Sequence, residues 1–274
     1  MIPVALTIAG SDPSGGAGIQ ADVKTFSALG AYGTSVITAL TAQSTTGVTG
    51  VHEVPVDFVR AQLDTLLADV RIDSVKVGML GSAALAAAVG DYLREPLAHL
   101  VRVLDPVMVS TSGSRLLDED AVDAVRALLP YADVITPNLP EAAVLTGRNP
   151  ATTVEGMREQ AALLRNDFGA RRVLVKGGHL EDTADAVDLW LDEDGERVYA
   201  AARVPTRNTH GTGCTLSSAL AALRLRRVDW PSTVADAKNW LTAALRRADA
   251  LDIGSGPGPV HHFHEFAAAG VRWV

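Results

Sequence analysis

Cysteine is almost absent from this chain, since its 274 residues include one, Cys214. One cysteine cannot form an internal disulfide, so nothing in the sequence requires an oxidising compartment. The N-terminal segment MIPVALTIAG lacks a positively charged leader, and no apolar run reaches the roughly 18 residues that a membrane span needs. We therefore expect a cytoplasmic protein without a membrane partner.

Positive charge is also scarce. Lys and Arg total 24 against 32 Asp and Glu, the net charge is −8, and no basic cluster is longer than RLRR at residues 224 to 227. Nucleic-acid binding needs a clustered basic surface, so no nucleic-acid partner is expected. The chain also shows no internal repeat and no central linker rich in Gly, Pro or Ser. A single domain over residues 1–274 follows as the prediction.

Runs rich in β-branched residues alternate with amphipathic stretches. The predicted strands are mostly continuously apolar, as in a sheet covered on both faces: PVALTIAG, TSVITAL, SVKVGML, VRVLDP, ADVITPN and RRVLVKG. The stretches with helical spacing between them are IQADVKTFSAL, VDFVRAQLDTLLADV, SAALAAAVGDYL, DEDAVDAVRALL and TTVEGMREQAALLRNDF. This alternation predicts an α/β fold with a mainly parallel central sheet and helices on both faces.

The pattern changes near residue 185. DAVDLWLD and RVYAAARVP flank a turn at Asp194 and Gly195, which predicts a small antiparallel hairpin extending the sheet. Two final helices are predicted in CTLSSALAALRL and TVADAKNWLTAALRRADAL.

Two glycine-rich segments stand before predicted helices. AGSDPSGGAGIQAD follows the first strand and contains Asp12, but it lacks the lysine of a Walker loop and the spacing GxGxxG. In HGTGC, Gly211 and Gly213 let backbone N–H groups converge at a helix N-terminus, which suits a transferring phosphoryl group. A thiol there tends to have a lowered pKa, so Cys214 is predicted to act as a weak base or hydrogen-bonding partner.

Charged and amide side chains fall at other strand ends. Asp105 follows VRVL, Asn138 and Glu141 follow VIT, and Lys176 precedes two glycines. Ligands of open parallel sheets bind beyond the carboxyl ends of the strands. A carboxylate pair there could hold Mg²⁺ through water, and the lysine could neutralise phosphate charge. The Ser/Thr/Gly segment VMVSTSGSRLL after Asp105 is predicted to be a mobile cover.

The sequence resembles the hydroxymethylpyrimidine/phosphomethylpyrimidine kinases of thiamine biosynthesis, within the ribokinase-like superfamily. The resemblance runs essentially from end to end and is carried by LTIAGSDPSGGAGIQADVKTFSALGAYGTSVITALTAQ, VKVGML, LDPVM, TPNLPEAA, KGGH, NTHGTGCTLSSALAAL and GPVHHFH. It implies a three-layer α/β/α ribokinase-like fold. It also implies ATP-dependent phosphorylation of 4-amino-5-hydroxymethyl-2-methylpyrimidine to its monophosphate and then to the diphosphate.

The resemblance further implies roles for individual residues. Pyrimidine binding carries over to Gln43, Gly10, Asp12, Met79 and Val107. Cys214 stands where related sugar kinases have an aspartate base, and Gly211, Thr212 and Gly213 would donate N–H groups to the moving phosphate. Lys176, Asn138 and Thr212 match the ATP side, and Asp105 with Glu141 the Mg²⁺ side. A homodimer is typical of the family.

The chain departs from the family pattern at a few positions. Ser44 stands where the family usually has Asn, and Ser110 and Ser114 stand in the predicted cover where Ala and Asp are frequent. None of the residues given a role above is altered.

Two other functions remain open at this point. A pyridoxal or pyridoxine kinase of the cysteine-bearing type would share the fold, the anion hole and the thiol, although Gln43 and Met79 favour the pyrimidine. A sensor that has lost catalysis would be expected to lose Lys176, a carboxylate or a glycine of GTG, and all are present. The spacing of His261, His262 and His264 without an acidic or Cys partner argues against a zinc site.

Overall fold

One mixed β-sheet forms the centre of the protein. The computed structural model describes residues 1–108, 121–180 and 183–268. Within these ranges the strands are β1 (Val4–Ser11), β2 (Tyr32–Ser44), β3 (Gly47–Glu53), β4 (Ser74–Val77), β5 (Val101–Leu104), β6 (Val134–Ile135), β7 (Val173–Gly177), β8 (Asp185–Asp192) and β9 (Gly195–Ala202). They pair in the order β3-β2-β1-β4-β5-β6-β7-β8-β9.

The central strands run parallel, and the two edges are antiparallel. β2, β1, β4, β5, β6 and β7 pair in parallel, whereas β3 pairs antiparallel with β2, and β8 and β9 continue antiparallel from β7. Asp192 pairs with Gly195, so the predicted turn of the hairpin is confirmed. Because the central strands are parallel, their carboxyl ends meet at one edge of the sheet.

Helices cover both faces of the sheet. They are α1 (Gly18–Ala28), α2 (Val56–Leu67), α3 (Ala83–Arg94), α4 (Ala121–Arg126), α5 (Leu139–Thr146), α6 (Val154–Asn166), α7 (Thr212–Arg224), α8 (Trp230–Arg246) and α9 (His264–Ala268), with short 3-10 turns at Leu129–Tyr131 and Ala248–Ala250. One core cluster contains buried residues of α2 to α6, and the other contains buried residues of α1, α7 and α8. None of the helices in the described part of the chain is both long and apolar enough to cross a membrane.

The strands supply side chains to both core clusters in alternation. On β1, Leu6 and Ile8 lie in the cluster with α2 to α6, whereas Ala5 lies in the cluster with α1, α7 and α8. Successive side chains of a strand point to opposite faces, so a strand covered on both faces must be apolar throughout. The predicted three-layer α/β/α fold, with a mainly parallel sheet and a hairpin extension, is confirmed.

Three elements were not predicted: β3, α5 and the short helix α9. β3 is exposed along most of its length and contains two glycines, so it lacks the apolar pattern of a core strand. It pairs with an extension of β2 that reaches Ser44, well beyond the predicted run TSVITAL. α5 is only 8 residues long, and it begins directly after a strand of 2 residues, which left no separate helical pattern to detect.

Candidate active site

Helix α7 begins where the two glycine-rich loops of the chain touch. Gly211 is its N-cap residue and has a left-handed backbone with φ 76°. A Cβ atom at this position would overlap the carbonyl oxygen of Gly16, in the loop between β1 and α1. Both the backbone angle and the close approach therefore require glycine. The contact fixes the loop after β1 against the start of α7.

The first turn of α7 offers unsatisfied N–H groups. The N–H of Thr212 donates to the carbonyl of Thr209 at 3.3 Å, but no backbone carbonyl of the described residues accepts from Gly213 or Cys214. Free N–H groups and the helix dipole make a helix N-terminus attractive to anions. Of the three predicted phosphate donors, Thr212 already has a partner for its N–H, while Gly213 retains a free one.

The thiol of Cys214 lies at the N-termini of two helices. The backbone N–H of Gly18, the first residue of α1, acts on the thiol and favours its ionised form. Burial nevertheless raises the pKa of the Cys214 thiol to about 11, although Lys76 and the Gly18 N–H act to lower it. The predicted lowering of this pKa was wrong because desolvation of the thiolate outweighs the favourable charges around it. At neutral pH the group is a protonated thiol.

Asp105 and Lys176 form an ion pair beside the start of α7. Lys176 Nζ lies 2.7 Å from Asp105 Oδ1 and 3.8 Å from Glu141 Oε2. A Cβ atom on Gly213 would lie 3.2 Å from this same Nζ. Thr136 Oγ1 and Ser217 Oγ also donate to Asp105, at 3.0 and 3.2 Å. The structure thus brings together the lysine, both predicted metal carboxylates and the predicted anion hole.

Asn138 and Glu141 form a capping box at the start of α5. The N–H of Glu141 donates to Asn138 Oδ1 at 2.8 Å, and the N–H of Asn138 donates to Glu141 Oε2 at 2.7 Å. Burial raises the pKa of Glu141 to about 7, with Lys176 opposing and Asp105 adding to the rise. The same burial would raise the pKa of Asp105, but Lys176 and Lys76 hold it below its ordinary value. The Asn138 side chain is therefore used within the fold as a helix cap.

The carboxylates fit Mg²⁺ held through water better than Mg²⁺ bound directly. Asp105 is 1% exposed, and its two oxygens already accept from Lys176, Thr136 and Ser217. Glu141 is 4% exposed and accepts a backbone bond from Asn138. Mg²⁺ keeps several waters and commonly binds one or two carboxylates together with substrate phosphates. These two carboxylates would suit a Mg²⁺ ion that is held through water next to Lys176.

Asp12 organises the loop after β1. Its carboxylate accepts from the N–H groups of Ser14, Gly16 and Ala17 and from the imidazole of His210 at 2.8 Å. Burial acts to raise the pKa of Asp12, but these hydrogen bonds outweigh it and lower the pKa to about 2. Asp12 is 2% exposed, and its carboxylate oxygens are engaged by the loop and by His210.

The predicted pyrimidine residues cluster around the end of β1 and its neighbours. Gln43 Oε1 accepts from Thr41 Oγ1 at 3.1 Å, and its amide nitrogen lies 3.4 Å from His210 Nε2. A Cβ atom on Gly10 would lie 2.5 Å from Met79 Cε, so these two residues are in direct contact. Val107 follows Asp105 in a turn, with its N–H donating to the Asp105 carbonyl at 2.8 Å.

The C-terminal histidines do not form a metal site within the described residues. His262 Nε2 instead lies 3.0 Å from Thr215 Oγ1 in the first turn of α7. Burial lowers the pKa of His262 to about 3, and the positive charge of Lys24 adds to this. His262 therefore packs against the first turn of α7 as a neutral imidazole. Most of the predicted cover, with Ser110 and Ser114, lies outside the described residues.

Comparison with known proteins identifies the family. A sequence model of the phosphomethylpyrimidine kinases matches residues 12–261. The chain belongs to this family. The hydroxymethylpyrimidine/phosphomethylpyrimidine kinase of Salmonella typhimurium is 56% identical over 263 residues, which cover 95% of this chain and 97% of that protein. The predicted family and the predicted enzyme class, a kinase, are confirmed.

Solved structures of similar kinases share the fold. The pyridoxal kinase of Bacillus subtilis, determined as an ADP complex, is 34% identical with a TM-score of 0.87, covering 99% of this chain and 100% of that one. The phosphomethylpyrimidine kinase of Clostridium difficile is 38% identical with a TM-score of 0.77, covering 89% of this chain and 100% of that one. The predicted use of ATP agrees with the bound nucleotide of the first of these.

Sequence reasoning missed two buried polar residues of this kinase, Asp22 and Lys76, and left the role of His210 open. Asp22 and Lys76 form an ion pair under α7, and His210 links Asp12 to Gln43. One signal was present, because Lys76 interrupts the apolar strand SVKV, where a buried lysine needs an anionic partner. Nothing along the chain pointed to the partner, which is 54 residues away.

Proposed function

We propose that this protein transfers the γ-phosphoryl group of ATP to 4-amino-5-hydroxymethyl-2-methylpyrimidine, and then phosphorylates the monophosphate to the diphosphate. The observation that carries the proposal is the meeting of Gly213, Lys176 and Asp105 at the start of α7, in a chain of this family. That juxtaposition provides N–H donors and a cation for a phosphoryl group in transfer. The family and the names of its relatives agree with this activity predicted from the sequence.

The proposed transfer differs between the two reactions. In the first, the hydroxymethyl oxygen attacks phosphorus, the bond to the ADP oxygen breaks, and the hydroxyl proton passes to water or to an oxygen of the transferred phosphoryl group. In the second, a phosphate oxygen that is already anionic attacks, and no proton need be removed. A protonated Cys214 thiol suits the second reaction directly, while a loose transition state lets the alcohol in the first lose its proton late.

The roles proposed for the surrounding residues follow from their contacts. Gly211 fixes the loop from which α7 starts, and Gly213 donates its N–H to the phosphate. Thr212 contributes at the nucleotide side through its hydroxyl, since its N–H is engaged. Asn138 positions Glu141 by capping α5. Mg²⁺, held through water by Asp105 and Glu141, would neutralise phosphate charge as the bond to ADP breaks.

Pyrimidine recognition is proposed for Gln43, with Gly10, Met79 and Val107 forming the apolar surroundings. An amide offers both a donor and an acceptor, which matches the edge of an aminopyrimidine. Asp12, which the sequence assigns to the same pocket, supports it by holding His210. Gly10 lies against the end of the Met79 side chain, since a Cβ atom at position 10 would lie 2.5 Å from Met79 Cε.

Three further predictions stand beside this function. We propose that residues 1–274 act as one kinase domain, which agrees with the single sheet of the described strands. We propose a homodimer in which the β2–β3 edge is covered, since Tyr32, Leu40 and Val51 are exposed there. An unpaired sheet edge with apolar side chains favours association. The cytoplasmic location stays a prediction from the sequence.

The test is a product analysis by mass spectrometry with Mg²⁺ and ATP and, separately, the hydroxymethylpyrimidine and pyridoxal. Pyrimidine monophosphate followed by diphosphate is the expected result. Pyridoxal phosphate without pyrimidine products would overturn the proposed substrate, and the similarity to the Bacillus subtilis pyridoxal kinase makes this the appropriate rival. If the pyrimidine is the substrate, Gln43→Leu should raise the KM for the pyrimidine and leave the KM for ATP unchanged.

A further inference from the structure

A second lysine–aspartate pair lies beneath the candidate site, and the proposed transfer does not use it. Asp22 on α1 and Lys76 on β4 are both 0% exposed, and Lys76 Nζ lies 3.0 and 2.8 Å from the two carboxylate oxygens. Thr7 Oγ1 donates to Asp22 at 2.6 Å and Ser218 Oγ at 2.7 Å. Burying such a pair costs desolvation, and apolar residues of similar volume often give equal stability. Its position therefore calls for a functional explanation.

The pair lies one helical turn below Cys214. Gly18 and Asp22 are four residues apart on α1, and Cys214 and Ser218 are four residues apart on α7. Residues at this spacing share a helix face. The hydrogen bond from Ser218 to Asp22 therefore joins, one turn further along, the faces of α1 and α7 that carry Gly18 and Cys214.

The Lys76 ammonium group also contacts the backbone near the end of its own strand. A Cβ atom on Gly78 would lie 2.8 Å from Lys76 Nζ, so the ammonium group packs against the backbone at the carboxyl end of β4. This is the edge of the sheet from which the candidate site is built. The ammonium group is therefore fixed between Asp22 and the site.

Charged groups act on the thiol from four elements. Lys76 on β4 lowers the pKa of Cys214, whereas Asp22 on α1 and Asp105 after β5 raise it. Lys176 on β7 and the sulfur attract each other when the thiol is ionised. Burial exceeds all of these contributions and raises the pKa.

We propose that Asp22 and Lys76 are positioning residues for Cys214, which they hold at the paired N-termini of α1 and α7 while their opposed charges set how readily the sulfur carries negative charge. The inference deepens the function proposed above and rests on it for the catalytic use of the thiol. Its test does not depend on turnover, so the two can fail separately.

The test measures the rate of alkylation of Cys214 by iodoacetamide between pH 7 and 11 in the full chain. The thiolate sulfur forms a bond to the reagent's carbon as iodide leaves, so the pH dependence reports the thiol pKa. Because Cys214 is the only cysteine of the chain, the reaction has one site. Asp22→Asn should lower the pKa by about one unit or more and speed alkylation about tenfold at pH 8.

Lys76→Met should shift the pKa in the opposite direction and slow alkylation. Ser218→Ala, which removes one donor from Asp22 and is a milder change, should raise the pKa by a smaller amount. A structure that had merely loosened would move every variant towards the ordinary thiol pKa of about 8.5. Ser218→Ala also keeps the test decisive if either charge variant fails to fold.

The matched control is Asp133→Asn. Asp133 pairs with Arg102 at the amino ends of β5 and β6, on the side of the sheet opposite the candidate site. It should leave the alkylation profile unchanged. The proposal would be overturned if the pKa of the Cys214 thiol were lowered or unchanged in both Lys76→Met and Ser218→Ala. It would also be overturned if this pKa were raised or unchanged in Asp22→Asn. Either result would be independent of whether the pyrimidine is phosphorylated.

Discussion

Two lysine–aspartate pairs stand on either side of the start of α7, and they differ in their access to solvent. The Asp22–Lys76 pair has side chains that are 0% exposed, whereas the Lys176 side chain of the Asp105–Lys176 pair is 14% exposed. Both pairs also bind serine side chains of α7, Ser218 in the first case and Ser217 in the second. A lysine and an aspartate therefore occur in two different environments, and each pair contacts a serine that follows Cys214 closely on α7.

The difference concerns what each lysine can do. Lys76 has no route to another partner without breaking the core, so its charge acts as a fixed part of the fold. Lys176 lies between Asp105 and Glu141 and next to Gly213, so it can shift towards a phosphate group that arrives there. In the proposed function, burial separates a lysine that stabilises the fold, Lys76, from one that contacts substrate, Lys176.

The largest expected effect comes from breaking the fully buried pair, Asp22 and Lys76. Lys76→Met should reduce the free energy of unfolding by about 3 to 5 kcal/mol, because it leaves a buried carboxylate without its cation. Urea unfolding followed by circular dichroism measures this. The exposed pair of Arg60 and Asp91 provides the control, since Asp91→Asn should change the midpoint very little. A loss similar to that of Asp91→Asn would contradict the comparison.

The next effect separates catalysis from stability at the partly exposed pair, Asp105 and Lys176. Lys176→Met should lower kcat by roughly 10² to 10³ because it removes a cation from the phosphoryl group in transfer. Its loss of unfolding free energy should be smaller than that of Lys76→Met. Steady-state kinetics and urea unfolding on the same preparations check both. Lys238→Met breaks another buried pair, with Asp188, and should affect stability more than kcat.

A smaller effect is expected at the contact between the two glycine-rich loops. Gly211→Ala and Gly147→Ala both place a side chain at positive φ, 76° and 66°, which costs about 1 to 2 kcal/mol. A Cβ atom on Gly147 meets nothing within 4 Å, whereas one on Gly211 overlaps the Gly16 carbonyl. Gly211→Ala should therefore be the more destabilising and should also raise the KM for ATP. Equal losses in the two variants would show that the contact contributes nothing.

The last effect, which appears only at alkaline pH, follows from the thiol. Because its pKa of about 11 in the folded state lies above the ordinary value of about 8.5, the folded protein holds this proton more tightly than the unfolded chain does. This contribution to stability is complete below about pH 8.5 and is lost as the pH rises towards 11. Wild type should thus lose more stability over this range than Cys214→Ser, as measured by urea unfolding at each pH. Identical pH dependence in the two proteins would contradict the raised pKa.

Prediction from sequence succeeded best where local pattern and family motif coincide. Lys176 was placed correctly because it ends an apolar strand and precedes two glycines, a position that parallel sheets devote to ligands. Lys76 sits in a strand of the same kind and was passed over, since its partner Asp22 is brought to it only by the packing of α1 on the sheet. The direction of the Cys214 pKa was wrong for a related reason. The helix N-terminus is visible in the sequence, but the burial that outweighs it is not.

The amino-acid sequence by itself determined the α/β alternation, the hairpin, the glycines that the loop contact requires and the residue types of the candidate site. Hydrophobic periodicity and glycine conformation act over a few residues and can be read locally. Only the tertiary structure decided which charged side chains are fully buried, which carboxylates contact the same lysine, and how strongly burial raises the pKa of the thiol. Those properties depend on distances between segments far apart in the chain and on local desolvation.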